Sequence, residues 1–460
     1  MKGGIFIPID DFIIHILNID KDDIESLKTS INGDEAIYEI KLKRKEMYCD
    51  YCHEKMIGHG VKKRKISHPN IRGYDGTIYH IANRYICKYC HKTKLENNPF
   101  TFNRFNNSYS KIKEVMKYLK NLNYTLDMIS KELNISSTHI NNYIDSYNNY
   151  IDSYIVVPKL RLPEWLGIDE IHSDSLTYKN ASYLCVMVDG EKRRLFDILG
   201  SRSKDTLSNY FSKIDKEERL NVRYVTIDMW ETYKDLAIRY FPNCIVAIDP
   251  FHYIKHLCDG FERLRINLMN QCEYGSPAYY LLKKWNYLFT KDDIDLDNGK
   301  TYNRVFNEEL NRRDIFNIMA DNFPLLYEAY LLKEEFRDMV KTCSYHEAKA
   351  KYDDLYMKFK NSGIREYDDF VQILGKWKDE ILNSFLRPYD KHKLSNALTE
   401  NINGKLNQYV IISKGLTNFK RFRKRVLYAL NSSAYFSISD KLRSDKYTRP
   451  KRGPYNKIKQ

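Results

Sequence analysis

Eight consecutive segments decide the fold: WLGIDEI (165–171), YLCVMVD (183–189), RRLFDILG (193–200), SRSKDTLSNYFSKI (201–214), NVRYVTID (221–228), WETYKDLAIRYF (230–241), NCIVAID (243–249) and PFHYIKHLCDGFERLRINLMN (250–270). The first three are short apolar runs parted by turn residues, the pattern of an antiparallel meander. The fourth has a serine cap and a helical period, after which strand and helix alternate. Asp169 falls on the first strand and Asp228 ends the fourth. A carboxylate at such a place is delivered to the rim of a sheet and not to its core.

Three strands, helix, strand, helix, strand, helix predicts an α/β fold, a ribonuclease H-like mixed sheet with helices on both faces. The first and fourth strands are neighbours in such a sheet, so Asp169 and Asp228 can share a metal. Glu400, in SNALTEN (395–401), lies far downstream in a segment of helical character and can join them only through tertiary folding. Phosphodiester chemistry needs an activated oxygen nucleophile and neutralisation of the leaving oxygen, and two divalent ions about 4 Å apart supply both. In that scheme two Mg2+ ions, for which Mn2+ can substitute, are bridged by Asp169, with Asp228 holding one and Glu400 the other. Glu170 falls on the opposite face if the strand continues and is not expected to be a ligand. Each acid alone is more often a solvated surface carboxylate, and it is their joint placement that points to chemistry.

The chain has 460 residues, with 75 Lys and Arg against 61 Asp and Glu, for a net charge of +14. That length accommodates about two to four domains, and the segmental basic excess points to a polyanion, with nucleic acid first among candidates. No stretch reaches the roughly 20 apolar residues that span a bilayer. MKGGIFIPIDDFIIHI (1–16) meets acids too soon for a signal peptide, so a soluble intracellular protein with no membrane partner is expected.

The 9 cysteines are an odd number, and Cys49, Cys52, Cys87 and Cys90 form two CxxC pairs. Such knuckles at strand ends can present four thiolates to one structural Zn2+, the metal replacing a core that residues 1–105 lack. The spacer, VKKRKISHPNIRGYDGTIYHIANRYI with its flanks, is strand-like and longer than in a common zinc ribbon. His53 and His91 follow the knuckles and read as bystanders.

Residues 106–157 carry apolar periods for three helices, over Ile112–Leu119, Leu126–Leu133 and Ser137–Tyr147, with a tight turn at Asn134. These are helix-turn-helix proportions, and Ser136, Thr138, His139 and Asn142 would then face the major groove of double-stranded DNA. A plain three-helix packing module would give the same pattern. Residues 158–273 and 390–435 form the catalytic domain on this reading, and 274–389 form an insertion that reads as helical throughout, with Trp285 and Trp377 as anchors. The basic amphipathic helix near 419–430 offers Arg421, Arg423, Lys424 and Arg425 to DNA. The tail, 436–460, includes Lys451 and Arg452 and either screens phosphates or merely solubilises.

LGIDEI, VMVD, SRSKDTL, TIDMWETY, AIDPFHYIKH and SNALTENINGKLN, in this order, resemble the successive blocks of insertion-sequence DDE transposases of the ISL-three family. The resemblance covers nearly the whole chain, including a zinc-binding segment and a helix-turn-helix ahead of the catalytic domain. It implies an acidic triad of Asp169, Asp228 and Glu400, with Asp249 and His252 near the site. Pro250 stands where the family has a basic residue, and Ala397 and Asn401 where it tends to have glycine. The implied activity is DNA transposition: binding terminal inverted repeats, cleaving with water, and joining the 3′ hydroxyl to target DNA. Joining two ends calls for a homodimer on DNA, and the implied location is the bacterial cytoplasm, at the nucleoid. A catalytically silent DNA-binding regulator and a nuclease of the same fold without strand transfer are the rival readings.

Overall fold

A computed structural model describes residues 17, 19–71, 73–101, 106–145, 154–177, 181–388 and 392–437. The N-terminal stretch 1–16 and, in the basic tail, Lys451 and Arg452 lie outside the described residues. The chain divides into two units, Met1–Pro158 with Gln408–Gln460, and Lys159–Asn407.

The first unit opens with β1 (Ile24–Asn32), β2 (Glu35–Leu42), β3 (Ile57–Ile71), β4 (Tyr74–Ile86) and β5 (Thr93–Leu95). The sheet order is β1-β2-β4-β3, with β5 also on β4 and β2 parallel to β4. Among the described residues its sheet packs an apolar core of Leu17, Ile40, Ile66, Ile78 and Phe100. A polar staple supplements it, since buried His80 lies 3.1 Å from Glu96 Oε1 and Asn83 donates to Glu96 Oε2 at 2.9 Å.

Three helices follow, α1 (Tyr109–Leu119), α2 (Leu126–Glu132) and α3 (Ser137–Ile144). Ser108, Thr125 and Ser136 cap them, each side chain accepting from a backbone N–H of the first turn. Asn134 takes φ 44° at the turn between α2 and α3, a conformation that asparagine tolerates. The third helix ends at Ile144, short of the expected Tyr147, which falls outside the described residues. Ile112, Val115, Ile129, Ile140 and Tyr143 share a core with Tyr428 and Ala434.

The sequence reading groups 390–435 with the catalytic domain; within that range the helix Phe419–Leu430 packs on α1 and α3, and Tyr435–Phe436 pairs with β6 (Ile155–Val156). An amphipathic helix must bury its apolar side against something, and Tyr428 finds that partner in the three-helix core.

The second unit contains β7 (Trp165–His172), β8 (Tyr183–Asp189), β9 (Arg194–Leu199), α4 (Lys204–Ser212), β10 (Tyr224–Ile227), α5 (Glu231–Tyr240), β11 (Ile245–Ile248) and α6 (Pro250–Gln271). Apart from a short additional helix, Lys216–Leu220, before β10, the succession is the one the sequence predicts. The sheet is mixed, in the order β11-β10-β7-β8-β9, with β10 parallel to β7 and β11 and the meander antiparallel. Leu166 and Ile168 face a core with Leu207, Phe211, Tyr233 and Leu236. The intervening Gly167 faces the helix α7 (Ala397–Ile412), where an added Cβ would lie 2.9 Å from Thr399 Oγ1 and 2.6 Å from Val188 Cγ2. Glycine is thus the residue that lets this helix approach the strand.

Residues 274–388, expected to be helical throughout, are largely helical but also carry a ribbon, Thr301–Asn303 against Glu308–Leu310. Asn307 turns it at φ 55°. Trp377 is buried and Trp285 partly so, in a core continuous with Tyr253, Leu257, Phe261 and Leu264 of α6. Among the described residues no helix is long and apolar enough to cross a membrane.

Candidate active site

Strand β10 pairs with β7 only from Tyr224 opposite Trp165 to Thr226 opposite Gly167. Beyond that point the two strands part, and Asp169 and Asp228 stand at the fork. Carboxylate oxygens of Asp169, Glu170 and Asp228 lie within 4.8 Å of one another. Glu170 keeps to the face of Leu166 and Ile168, as alternation requires, and its Oε2 accepts from the buried Tyr233 hydroxyl at 3.1 Å. Because the β10 pairing has ended, its carboxylate nevertheless reaches the cluster. Alternation gives the face of a residue but not where its neighbour strand departs.

The electrostatics are those of crowded acids. Burial, followed by the charges of Glu170, Glu400 and Asp249, pushes the Asp169 carboxyl up to about 7 against the opposing Glu170 N–H. Asp228 is also pushed up to about 7, by burial and then by Glu170 and Asp169, with Arg202 opposing. Glu400 is exposed on α7; its partial desolvation and then the charge of Asp249 raise its carboxyl. It is not within the 4.8 Å set, but its charge is felt at Asp169.

Helix α7 brings more than Glu400. Asn396 donates from Nδ2 to Ile168 O at 3.2 Å, and Asn403 donates to Asp169 Oδ2 at 2.9 Å. Asn396, Glu400 and Asn403 recur at i, i+4 and i+7, so one helix face carries all three. Sequence reasoning missed both asparagines, although their spacing from Glu400 was visible. Buried oxygens without a partner among the described residues include Asp228 Oδ1, Asn396 Oδ1 and Asn403 Oδ1. Unpartnered oxygens beside ionisable carboxylates are a donor set for a hard divalent cation, which takes oxygen ligands.

Asp249 is almost fully buried and both its oxygens are engaged, Oδ1 by Phe251 N at 2.8 Å and Oδ2 by Asn396 N. It caps α6, with Pro250 at the first helical turn, where a missing N–H costs nothing. This explains the proline at that position. His252 is half-buried, and burial holds its imidazole below the ordinary range.

The four cysteines also converge. Cys49 Sγ lies 3.4 Å from Cys90 Sγ, and Cys52 Sγ lies 3.4 Å from Cys87 Sγ and 3.8 Å from Cys90 Sγ. Thiolates about 2.3 Å from one tetrahedral ion would stand roughly 3.8 Å apart, so the sulfurs fit zinc. Both knuckles are alike: Cys49 N bonds Glu54 O and Cys87 N bonds Lys92 O, each at 2.9 Å. His53 and His91 take φ 58° and 54° at the turns and are exposed, as expected of bystanders. Backbone N–H groups of Cys52 and Tyr51 hold the Cys49 thiol down, and those of Cys90 and Tyr89 the Cys87 thiol, while burial and the neighbouring sulfurs push Cys52 and Cys90 up.

A protein-family model described as a transposase, of the DDE type and the ISL-three family, matches residues 166–426. The chain belongs to that family. No curated protein matches it. Family membership makes DNA the partner and phosphodiester cleavage or transfer the activity of this transposase domain.

The DNA-facing residues expected from sequence divide in two. Ser136, Thr138 and His139 are exposed at the start of α3 and Asn142 is half-buried, although Ser136 also caps the helix and lies 2.7 Å from His139 Nδ1. Arg425 is withdrawn from the set: it is 1% exposed, donates to Tyr409 OH at 2.8 Å and to Tyr124 O, and stacks 4.7 Å over the Tyr409 ring. Arg421 is bonded to Asp145 at 2.6 Å, while Arg423 and Lys424 are half-buried.

Proposed function

We propose that this transposase binds the terminal inverted repeats of its insertion sequence, cleaves the element ends and transfers the freed 3′ hydroxyls to target DNA. The observation that carries the reading is the meeting of Asp169 and Asp228 at the fork of β7 and β10, with Glu400 on the adjoining helix. The sheet order supports a ribonuclease H-like domain over 158–273 and the first part of 390–435, interrupted by the 274–389 insertion. Asp169, Asp228 and Glu400 would hold two Mg2+ ions, or Mn2+ in their place. Such ions activate the attacking oxygen and neutralise the leaving one. The protein's own part is to fix the carboxylates: Asn403 orients Asp169, Asn396 anchors α7 to Ile168, and Asp249 anchors the backbone of Asn396.

In the first unit, Cys49, Cys52, Cys87 and Cys90 would hold one structural Zn2+. That module and the helix-turn-helix, residues 106–157 reading through Ser136, Thr138, His139 and Asn142, would recognise the ends. Two protomers joining two ends make a homodimer on DNA, at the bacterial nucleoid.

The test is cleavage of a labelled fragment carrying the gene's own flanking ends, with Mg2+ or Mn2+. Wild type should nick at the end boundary, while Asp169→Asn, Asp228→Asn and Glu400→Gln should each lose about 1000-fold or more, the several kcal/mol of a lost metal contact. End binding should survive in all three. Specific binding without cutting by wild type would favour the silent-regulator reading, and cutting without joining would favour a nuclease.

A further inference from the structure

Glu170 brings into the centre a carboxylate that the predicted triad does not use. Its two oxygens have different partners: Oε1 is paired with Arg202, from the turn between β9 and α4, and Oε2 accepts from Tyr233 on α5 at 3.1 Å. Arg202 is held in turn, its guanidinium 4.1 Å from the Tyr183 ring centroid and 4.5 Å from that of Trp230. Trp230 packs edge to face on Tyr233, centroids 4.6 Å apart. Trp230 comes two residues after Asp228, and Glu170 follows Asp169 directly. The network therefore crosses the fork, tying the strand that bears one carboxylate to the segment that follows the other.

Were Glu170 to turn to a metal, Arg202 would lose its carboxylate and the fully buried Tyr233 hydroxyl its acceptor. Stranding a buried donor and a partly buried cation is unfavourable. We propose that Glu170 is a positioning residue and not a metal ligand: held by Arg202 and Tyr233, it sets the separation of the Asp169 and Asp228 carboxylates between which the divalent cation fits. This rests on the metal-dependent reading above.

The experiment is Mn2+ binding to the full-length protein, read from the free-ion paramagnetic resonance signal, for wild type and for Asp169→Asn, Glu170→Gln, Arg202→Lys and Tyr233→Phe. Neither Arg202→Lys nor Tyr233→Phe introduces an oxygen ligand, and Tyr233→Phe removes a single oxygen, so a melting curve should confirm its fold. On the positioning reading, Arg202→Lys, Tyr233→Phe and Glu170→Gln each weaken Mn2+ binding about 10- to 100-fold, the range for partners behind the ligands, with stoichiometry unchanged. If Glu170 is a ligand, freeing it helps the metal. Arg202→Lys and Tyr233→Phe would then bind Mn2+ at least as well as wild type, and only Glu170→Gln would match Asp169→Asn, which overturns the proposal. Undiminished binding by Asp169→Asn would instead remove the metal centre itself.

Discussion

Asn403 donates from Nδ2 to Oδ2 of Asp169 at 2.9 Å, tying the helix of Glu400 to the strand of the first carboxylate. With Oδ1 accepting from Glu170 N at 2.8 Å, both Asp169 oxygens are held, while Asn403 Oδ1 is left buried without a partner among the described residues. Asn403→Ala is expected to lower cleavage about 10- to 100-fold and to raise the metal concentration giving half the maximal rate. Gel-shift affinity for the ends should not change. An unaltered metal requirement would remove this role from Asn403.

The raised carboxyls give the centre a pH signature. Asp169 and Asp228 stand at about 7 in the folded protein, against about 4 for an unfolded aspartate. Folded values above unfolded ones contribute stability that is fully present below about pH 4 and is lost as pH rises through about 7. A divalent ion favours the ionised forms and offsets that loss. The increase in melting temperature on adding Mn2+ should therefore be small near about pH 5 and grow through about pH 7, and Asp228→Asn should flatten the trend. A pH-independent increase in wild type would count against the assignment.

Gly167 sets the distance between β7 and α7. A Cβ there would meet Val188 Cγ2 at 2.6 Å and Thr399 Oγ1 at 2.9 Å, both inside contact distance. Gly167→Ala is expected to cost about 1–3 kcal/mol, as overpacking does, seen in urea unfolding. Because the helix that must move carries Glu400 and Asn403, cleavage should fall by more than stability alone explains. Full activity with a normal midpoint would mean the helix has room to spare.

Cys49→Ser removes one sulfur from a module in which the described buried apolar residues around the knuckles are Met56 and Tyr85 with the cysteines themselves. Structural zinc supplies folding free energy outright, on the order of 10 kcal/mol in small zinc domains. The variant should lose its zinc by elemental analysis, together with specific binding to the ends, while residues 159–407 keep their own melting transition. Zinc content equal to wild type would sink the four-cysteine site.

The succession of elements in 165–271 was legible because each strand is a short apolar run bounded by turn residues, and helical and alternating periods do not overlap there. Both knuckles were legible from spacing alone. The position of Glu170 was not, since alternation is silent on where β10 leaves β7. The ribbon at 301–310 has strands of three residues, too short for a period to register. For Arg425, periodicity gave an amphipathic helix without naming its partner. Only the packing against Tyr409 and Tyr124 shows that one cation of the basic run points inward.

That inward guanidinium changes how the charge of the protein is to be counted. The formal +14 treats every lysine and arginine alike, but only a cation that displaces a condensed counterion adds to the salt dependence of DNA binding, at about 0.9 per phosphate. Arg425, enclosed by Tyr409 and Tyr124, displaces none, and Arg421 does so only by giving up Asp145. The logarithm of affinity should therefore fall with the logarithm of salt less steeply than the basic run suggests. What persists at high ionic strength then measures recognition of the bases more than attraction to the backbone.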